Sequence, residues 1–325
     1  MQLIFVTLKT AFAKDTTDAL TKSIEIYPGL ELFDFRIRED KKYFLVKFAG
    51  ETDKVREVLK KIMVSAPKPD QNKKTNAPTG VPEILTDITF SPISGISLNE
   101  LEKILKNIAK DLAEIIPRPL YLWRLDEGHN HPEIYETTDK SSGENLKQNP
   151  TSGINIRVQK FHLNISFLLR TDNLETVQNI SDRIGSQGPV LFNQKGKELK
   201  DSSGKVLRGE GMFKNVDTLV LPTSIGKTTQ LVCKIKDFEN PNLLRLWDYL
   251  QEICYQEIVE IVGSSLLGCI PLDAVRACLM SLPASEQKKY DSVREYLPKF
   301  VDILGLNKIG EFIPEYQIID YHFSA

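Results

Sequence analysis

Near neutral pH the side chain best able both to give and to take a proton is histidine, and the sequence has four: His129, His131, His162 and His322. His129 and His131 flank Asn130 and precede Pro132 in a polar stretch, with no cysteine or third histidine nearby. Two ligands alone do not make a structural zinc site, so a surface loop is expected there and no metal. His162 alternates with apolar residues in a strand-like run, and His322 lies in another such run near residue 323; both read as structural. No histidine occurs between Met1 and Gly128. Ser224-Ile225-Gly226-Lys227-Thr228 ends like a phosphate-binding loop, but that motif needs a glycine where Leu221 stands and a helix after it, and this segment joins two strand-like runs. No Gly-x-Ser-x-Gly elbow is present for serine chemistry. Cys233, Cys254, Cys269 and Cys278 have no paired C-x-x-C spacing, and buried thiols in a reducing compartment are expected rather than a disulfide framework.

The most informative run is E-I-V-G-S-S-L-L-G-C-I-P-L-D-A-V over residues 260–275. It reads as a short strand, a turn at Gly263 and Ser264, a second glycine at Gly268, and Pro271 at a helix start. Such a turn can aim backbone N–H groups at an anion or a neighbouring domain, and Gly268 would permit close approach. Gly263, Ser264, Gly268 and Pro271 are therefore expected to form a structural turn.

The elements that must position these residues follow from periodicity. Residues 2–8, 30–38 and 43–48 alternate as strands. A helix capped by Thr16 or Thr17 runs to about residue 26, and residues 53–64 repeat apolar positions at helical spacing. After a polar stretch over 67–82 come a strand at 84–90, a helix capped by Ser97 reaching about residue 116, and a strand at 120–123. The order β-α-β-β-α-β-α-β favours a helix pair on one face of a mixed sheet, as in a split βαβ unit. Polar residues 129–153 mark a boundary between domains 1–150 and 151–325. In the second, residues 154–169 read as a strand and 173–184 as a helix. Residues 192–215 read as a Gly- and Lys-rich loop, and 216–222 with 228–236 as an antiparallel pair. A helix opened by Pro241, a short β-run at 259–262, helices at 272–280 and 293–304, and a terminal strand at 318–323 complete the chain.

Composition is that of an ordinary globular chain of two domains: 325 residues, 41% hydrophobic and 26% charged. Lysine and arginine (42) nearly balance aspartate and glutamate (44), for a formal charge of −2, which argues against a nucleic-acid or membrane-surface protein. No apolar run approaches the roughly 20 residues needed to span a bilayer. The N-terminus has neither a basic n-region nor the Arg-rich character of a transit peptide, so a cytoplasmic location is expected.

The 260–275 run resembles the V-G-S-x-L-V-G-L-V-P-L-x-A segment of glutamate formiminotransferases. Leu304-Gly305-Leu306, then Phe312-Ile313-Pro314-Glu315 and Ile318-Ile319-Asp320-Tyr321, resemble that family's L-G-L and F-x-P-x-x-x-I-I-E-Y. Lys160-Phe161 leading to Asn164 is similar to the start of its second domain. In the first half, Phe90-Ser91-Pro92-Ile93 with Gly95-Ile96-Ser97 resembles F-I-P-V-x-G-V-S, and Tyr121-Leu122 its V-Y-L-Y strand. The resemblance spans nearly the whole chain and lacks a deaminase domain. It implies an α+β fold of two ferredoxin-like subdomains, with mixed and antiparallel sheets and a groove between them.

The resemblance also implies a loss. The family's acid/base histidine lies in G-E-H-P-R-M-G-A, just before the F-I-P-V segment. Counting back from Phe90 puts Thr79 there, and anchoring on Asn76-Ala77-Pro78 puts Ala77. Neither exchanges a proton near pH 7, and general acid–base help is worth roughly 10²–10⁴-fold in rate. Against the family's folate-binding G-P-S-x-F-V-P-S-W-G stands only Pro150-Thr151-Ser152-Gly153, and residues 129–149 contain no arginine. The expectation is a catalytically inactive formiminotransferase-like protein without a cofactor, acting as a structural component of a larger assembly through polar loops at 67–82 and 192–215, or as a homodimer. The alternative is an active enzyme moving a formimino group from formiminoglutamate to tetrahydrofolate, with His129, His131, His162 or His322 as a relocated acid/base.

Overall fold

Alternation places Ile4, Val6 and Leu8 of the first strand, β1 (Leu3–Thr10), wholly inside the protein, because successive side chains of a strand point to opposite faces. The computed structural model to which this strand belongs describes residues 1–10, 22, 24–38, 43–65, 86–116, 120–123, 133–135 and 154–323. Contacts divide the chain into Met1–Lys160 with His322–Ala325, and Phe161–Tyr321.

In the first unit β1 is followed by β2 (Leu30–Arg38), β3 (Tyr43–Glu51), helix α1 (Thr52–Ser65), β4 (Thr86–Ser94) and helix α2 (Leu98–Ile115). Strand β3 pairs antiparallel with β1 and β2, and β1 pairs antiparallel with β4, giving the order β2-β3-β1-β4. Lys22, Ile24 and Glu25 are helical between β1 and β2, so the order is the β-α-β-β-α-β of a ferredoxin-like fold. Strands β5 (Leu120–Trp123), β6 (Glu133–Tyr135) and β7 (Ile154–Val158) extend this sheet beyond β4, with β7 parallel to both β4 and β5.

Helix α2 starts where its sequence can satisfy the free N–H groups of a first turn. Ser97 Oγ accepts from Glu100 N at 3.3 Å, and the Glu100 carboxylate accepts from Ser97 N at 2.8 Å. Leu101, Leu105, Ile108, Ala109 and Leu112 form one buried stripe, at the spacing a 3.6-residue turn demands. The outer side of this helix is tied to α1: Asp111 takes Lys60 Nζ at 2.8 Å and Arg56 Nε at 2.6 Å. The hydrogen bond from Lys60, with that from Arg56, holds the Asp111 carboxyl below the usual carboxylate range.

The second unit repeats the same plan. Strand β8 (Leu163–Leu169), helix α3 (Leu174–Ile184), β9 (Val216–Pro222), β10 (Thr229–Ile235), helix α4 (Leu243–Gln256) and β11 (Ile261–Leu266) form an antiparallel sheet ordered β11-β8-β10-β9. Counting strands within each unit, the first four strands of each read 4-1-3-2. Helices α5 (Leu272–Ser281), α6 (Ala284–Gln287), α7 (Val293–Leu304) and α8 (Pro314–Gln317) follow. Leu163, Ile165, Phe167 and Leu169 share one core with Trp247, Leu250, Phe300 and Leu304. The chain is thus α+β with two ferredoxin-like subdomains.

Several expectations change. Residues 154–169 are two strands, β7 and β8, belonging to different sheets, with the break at residues 159–162. Residues 319–323 form a 3₁₀ helix and not a strand; Ile318 alone makes a β-bridge, to Ile270. Pro241 lies one residue before the α4 cap, where Asn242 Oδ1 accepts from Arg245 N at 2.9 Å. The cap at Thr16 or Thr17 and the 67–82 loop lie outside the described residues.

The 192–215 stretch is more ordered than its composition implies. An eight-residue repeat aligns Asn193, Gly196, Lys197, Leu199 and Lys200 with Asp201, Gly204, Lys205, Leu207 and Arg208. In each copy the first residue closes a turn: Asn193 Oδ1 accepts from Lys195 N and Lys197 N, and Asp201 Oδ1 from Ser203 N and Lys205 N, at 2.8–3.0 Å. Three antiparallel bridges, Val190–Arg208, Phe192–Glu198 and Lys200–Val206, join the short arms. Backbone hydrogen bonds run in a closed ring, from Leu191 N to Leu207 O, Leu207 N to Leu199 O, and Leu199 N to Leu191 O. The result is a pseudo-threefold knob.

Candidate functional site

The expected turn at Gly263 and Ser264 is displaced. Both residues lie inside β11, and the bend comes after it, around Gly268. Ser264 is fully buried; its Oγ donates to Leu304 O at 2.6 Å and its N–H to Gly305 O at 3.2 Å. These are carbonyls left free where α7 ends, with Gly305 in the left-handed conformation of its C-cap. A Cβ on Gly263 would sit 2.7 Å from Lys308 Cβ and 3.2 Å from Gly305 O. The glycine required for close approach is therefore Gly263. Gly268 has open space around it and is required by its φ of 111°.

Pro271 caps α5 and brings no side-chain hydrogen bond of its own. Asp320 supplies it, its carboxylate accepting from Leu272 N at 2.7 Å, the favourable place for a negative charge. Ile270 N donates to Gln317 O and Ile319 N to Ile270 O, at 2.7 and 2.9 Å. Thus three of the segments carrying the resemblance, around residues 263–271, 304–306 and 312–321, meet in one junction held by backbone and capping bonds.

Close to this junction, a cleft of ≈ 670 Å³ opens on the second unit, lined by Leu168, Arg170, Ile225, Lys227, Thr228 and Val262 among others. The Ser224–Thr228 segment forms its rim as the tip between β9 and β10, an antiparallel pair rather than a strand-to-helix loop. Arg170 is engaged by Glu260, with Nε donating to Oε2 at 2.7 Å. Lys227, Thr228 and Arg170 share the lining with Asp172 over an apolar floor of Leu168, Ile225 and Val262, so the charge of the cleft is mixed. Among the described residues, no histidine and no cysteine lines it.

On the first unit, one sheet face carries a polar cluster. Arg157 Nε lies 3.2 Å from Asp87 Oδ1, with its guanidinium carbon 5.6 Å from the centre of the Trp123 ring. Trp123 Nε1 donates to Asn155 Oδ1 at 3.2 Å, and Lys9 Nζ lies 4.4 Å from the Tyr43 ring centre. Sequence reasoning missed this cluster because its members come from five strands, and only the register brings them together.

Of the four histidines, the structure describes two. Burial, with Lys234 and Lys236 nearby, pushes His162 down to about 4, so it is neutral at pH 7. His322 belongs to the first unit, its Nδ1 3.3 Å from Glu31 Oε1 and its ring edge-on to Phe33 at 4.9 Å. Neither lines the cleft. His129, His131, Thr79, Ala77, Pro150, Thr151, Ser152 and Gly153 lie outside the described residues. Burial pushes the thiols of Cys233, Cys254 and Cys278 up to about 12. Among the described residues no His/Cys/Asp/Glu group could hold a metal, and no helix is long and apolar enough to cross a membrane.

A paired ferredoxin-like α+β chain whose strand β11 is locked to the end of α7 is the class that fold and junction define. Residues 173–324 match the family model of the formiminotransferase domain, and the chain is formiminotransferase-like. It is 22% identical to formimidoyltransferase-cyclodeaminase of Rattus norvegicus over 321 residues, and 22% identical to the Mus musculus protein of that name over 322. Each alignment covers 95% of this chain and 57% of the relative, so the chain spans little more than half the length of these curated relatives. Among solved structures, an unknown protein from Galdieria sulphuraria aligns over 83% of this chain and 99% of its own, at 8% identity and a TM-score of 0.25.

Proposed function

We propose that this formiminotransferase-like chain does not transfer formimino groups and serves as a structural component of a larger protein assembly. One observation carries the reading: three of the segments that carry the family resemblance meet in bonds that hold the fold, and among the described residues no histidine lies in that junction or lines the adjoining cleft. In those three segments packing alone accounts for the residues. The Thr79 or Ala77 assignment supports the same conclusion, since neither side chain can serve as acid or base near pH 7.

The test is a transfer assay with purified protein, formiminoglutamate and tetrahydrofolate, alongside calorimetric titration with tetrahydrofolate. Turnover at background level is expected. Robust turnover, abolished by His162→Gln or His322→Gln with the fold intact, would establish the enzyme reading instead. His322 beside Glu31 is the arrangement that favours this alternative, since a carboxylate can orient an imidazole for proton transfer.

A further inference from the structure

The pseudo-threefold knob contributes nothing to the core of its unit. Leu191, Leu199 and Leu207 are outside the buried cluster and remain 39%, 36% and 40% exposed, and the adjoining Phe192 is 58% exposed. An unfolded polar loop would cost less than an ordered one, yet these residues are held by three bridges, a closed hydrogen-bond ring and two Asx-closed turns. What this order achieves is a fixed spatial pattern. The backbone ring puts three leucines at the middle, and the turns at residues 193–197 and 201–205 project at two corners.

The first turn is cationic, with Lys195 and Lys197, while in the second Lys205 is balanced by Asp201. Lys195, Lys197, Lys200 and Lys205 make no ion pair among the described residues, whereas the nearby Arg208 is tied to Asp182 at 3.2 Å and to Gly188 O. Asp201 spends its carboxylate on its own turn, the bond from Ser203 chief among those holding its carboxyl below the usual range. Glu198 is the knob's other acidic residue, so basic side chains still outnumber acidic ones around the partly exposed leucines, on a chain whose formal charge is −2. A membrane-inserting tip would carry its apolar residues at the extremity; here the extremities are polar turns and the leucines are central. Base stacking would call for exposed aromatic rings, and Phe192 is the knob's only aromatic.

We propose that this knob is a docking surface for an acidic segment of a protein partner, bearing leucine or phenylalanine side chains that cover Leu191, Leu199 and Leu207 while its carboxylates meet the four lysines. The proposal rests on the assembly reading above and names the chemistry of the partner.

The test uses the full chain and a fluorescent 16-residue peptide alternating glutamate with leucine and phenylalanine. Its controls are a lysine-for-glutamate counterpart, phosphatidylserine vesicles and poly-uridine RNA. The acidic peptide is expected to bind, to weaken as salt screens the charges, and to bind at least about tenfold more weakly to a K195S/K197S/K200S/K205S variant. Leu199→Ser should weaken it as well, and both variants should melt with the wild type because the knob lies outside the core. No binding by the wild type, equal binding by the lysine variant, or tighter binding of vesicles or RNA would overturn the proposal. Binding is measured apart from turnover: an active transferase that binds the peptide sinks only the inactivity reading, and an inactive chain that does not bind sinks only the docking surface.

Discussion

Gly263→Ala adds one methyl group to β11 at the point where the strand meets the residues after α7. The new carbon would stand 2.7 Å from Lys308 Cβ, an atom next to the backbone that cannot swing aside, and 3.2 Å from Gly305 O. Relieving the clash means parting β11 from the end of α7 by several tenths of an ångström. Overpacking of this kind costs about 1–3 kcal/mol. The same displacement strains the buried bond from Ser264 Oγ to Leu304 O, 2.6 Å in the structure, whose net worth is about 1 kcal/mol. A loss of about 2–3 kcal/mol lowers the melting temperature by about 4–12 °C in a unit of this size. Thermal unfolding followed by circular dichroism and by the fluorescence of Trp247, buried in the same core, reads this directly. Gly310→Ala is the control, since a Cβ there meets nothing within 4 Å. If Gly263→Ala melts with the wild type and with the control, the close-approach argument fails. Gly268→Val should also lose stability, through its positive φ and not through contact.

Asp111→Asn should lower stability at pH 7 by about 1 kcal/mol, less in high salt. Because Lys60 and Arg56 depress the Asp111 carboxyl, the wild-type advantage should be full above the unfolded value of about 3.9 and vanish as pH falls through the folded one; urea titrations of both proteins across this range check the sign. His162, at about 4 when folded against about 6.5 unfolded, should make stability fall as pH drops from about 6.5 towards 4, because only the unfolded chain takes up the proton there. Its NMR titration midpoint should lie near 4, and a midpoint above 6 would contradict its burial. Titration of the native protein with a thiol reagent should modify Cys269 first, since Cys233, Cys254 and Cys278 are buried with raised thiols; rapid reaction of all four would show the core to be open.

Much of the fold was legible because the signals were local. Ser97 three residues before Glu100 marks a helix start, and the leucine stripe from Leu101 to Leu112 marks its buried side. What stayed hidden depended on distant partners. Nothing between residues 154 and 169 announces that its two halves join different sheets, since both alternate correctly for a half-buried strand. The knob escaped notice because its arms are too short to show strand periodicity, although the Asn193/Asp201 repeat was present in the sequence. Gly263 and Gly268 were assigned by spacing alone; which needs room and which needs a positive φ depends on Lys308 and Gly305, some forty residues further on. The Asp320 cap of α5 was invisible for the same reason, with 48 positions separating donor and acceptor.

That long reach bears on how the second unit is made. During synthesis the chain leaves the ribosome from its N-terminal end, so β11 and the start of α5 emerge well before the residues that complete them. Until residue 305 is out, Ser264 has no carbonyl at the end of α7 to receive its hydroxyl, and until residues 317–320 follow, Ile270 and Leu272 lack Gln317 O and Asp320 Oδ2. The junction therefore acts as a late clasp: four strands and two helices can gather first, but the unit locks only when its last segment arrives. A chain stopped at residue 311 would hold every strand of the second sheet and still leave Ile270 uncovered, exposing a partly folded unit to proteolysis.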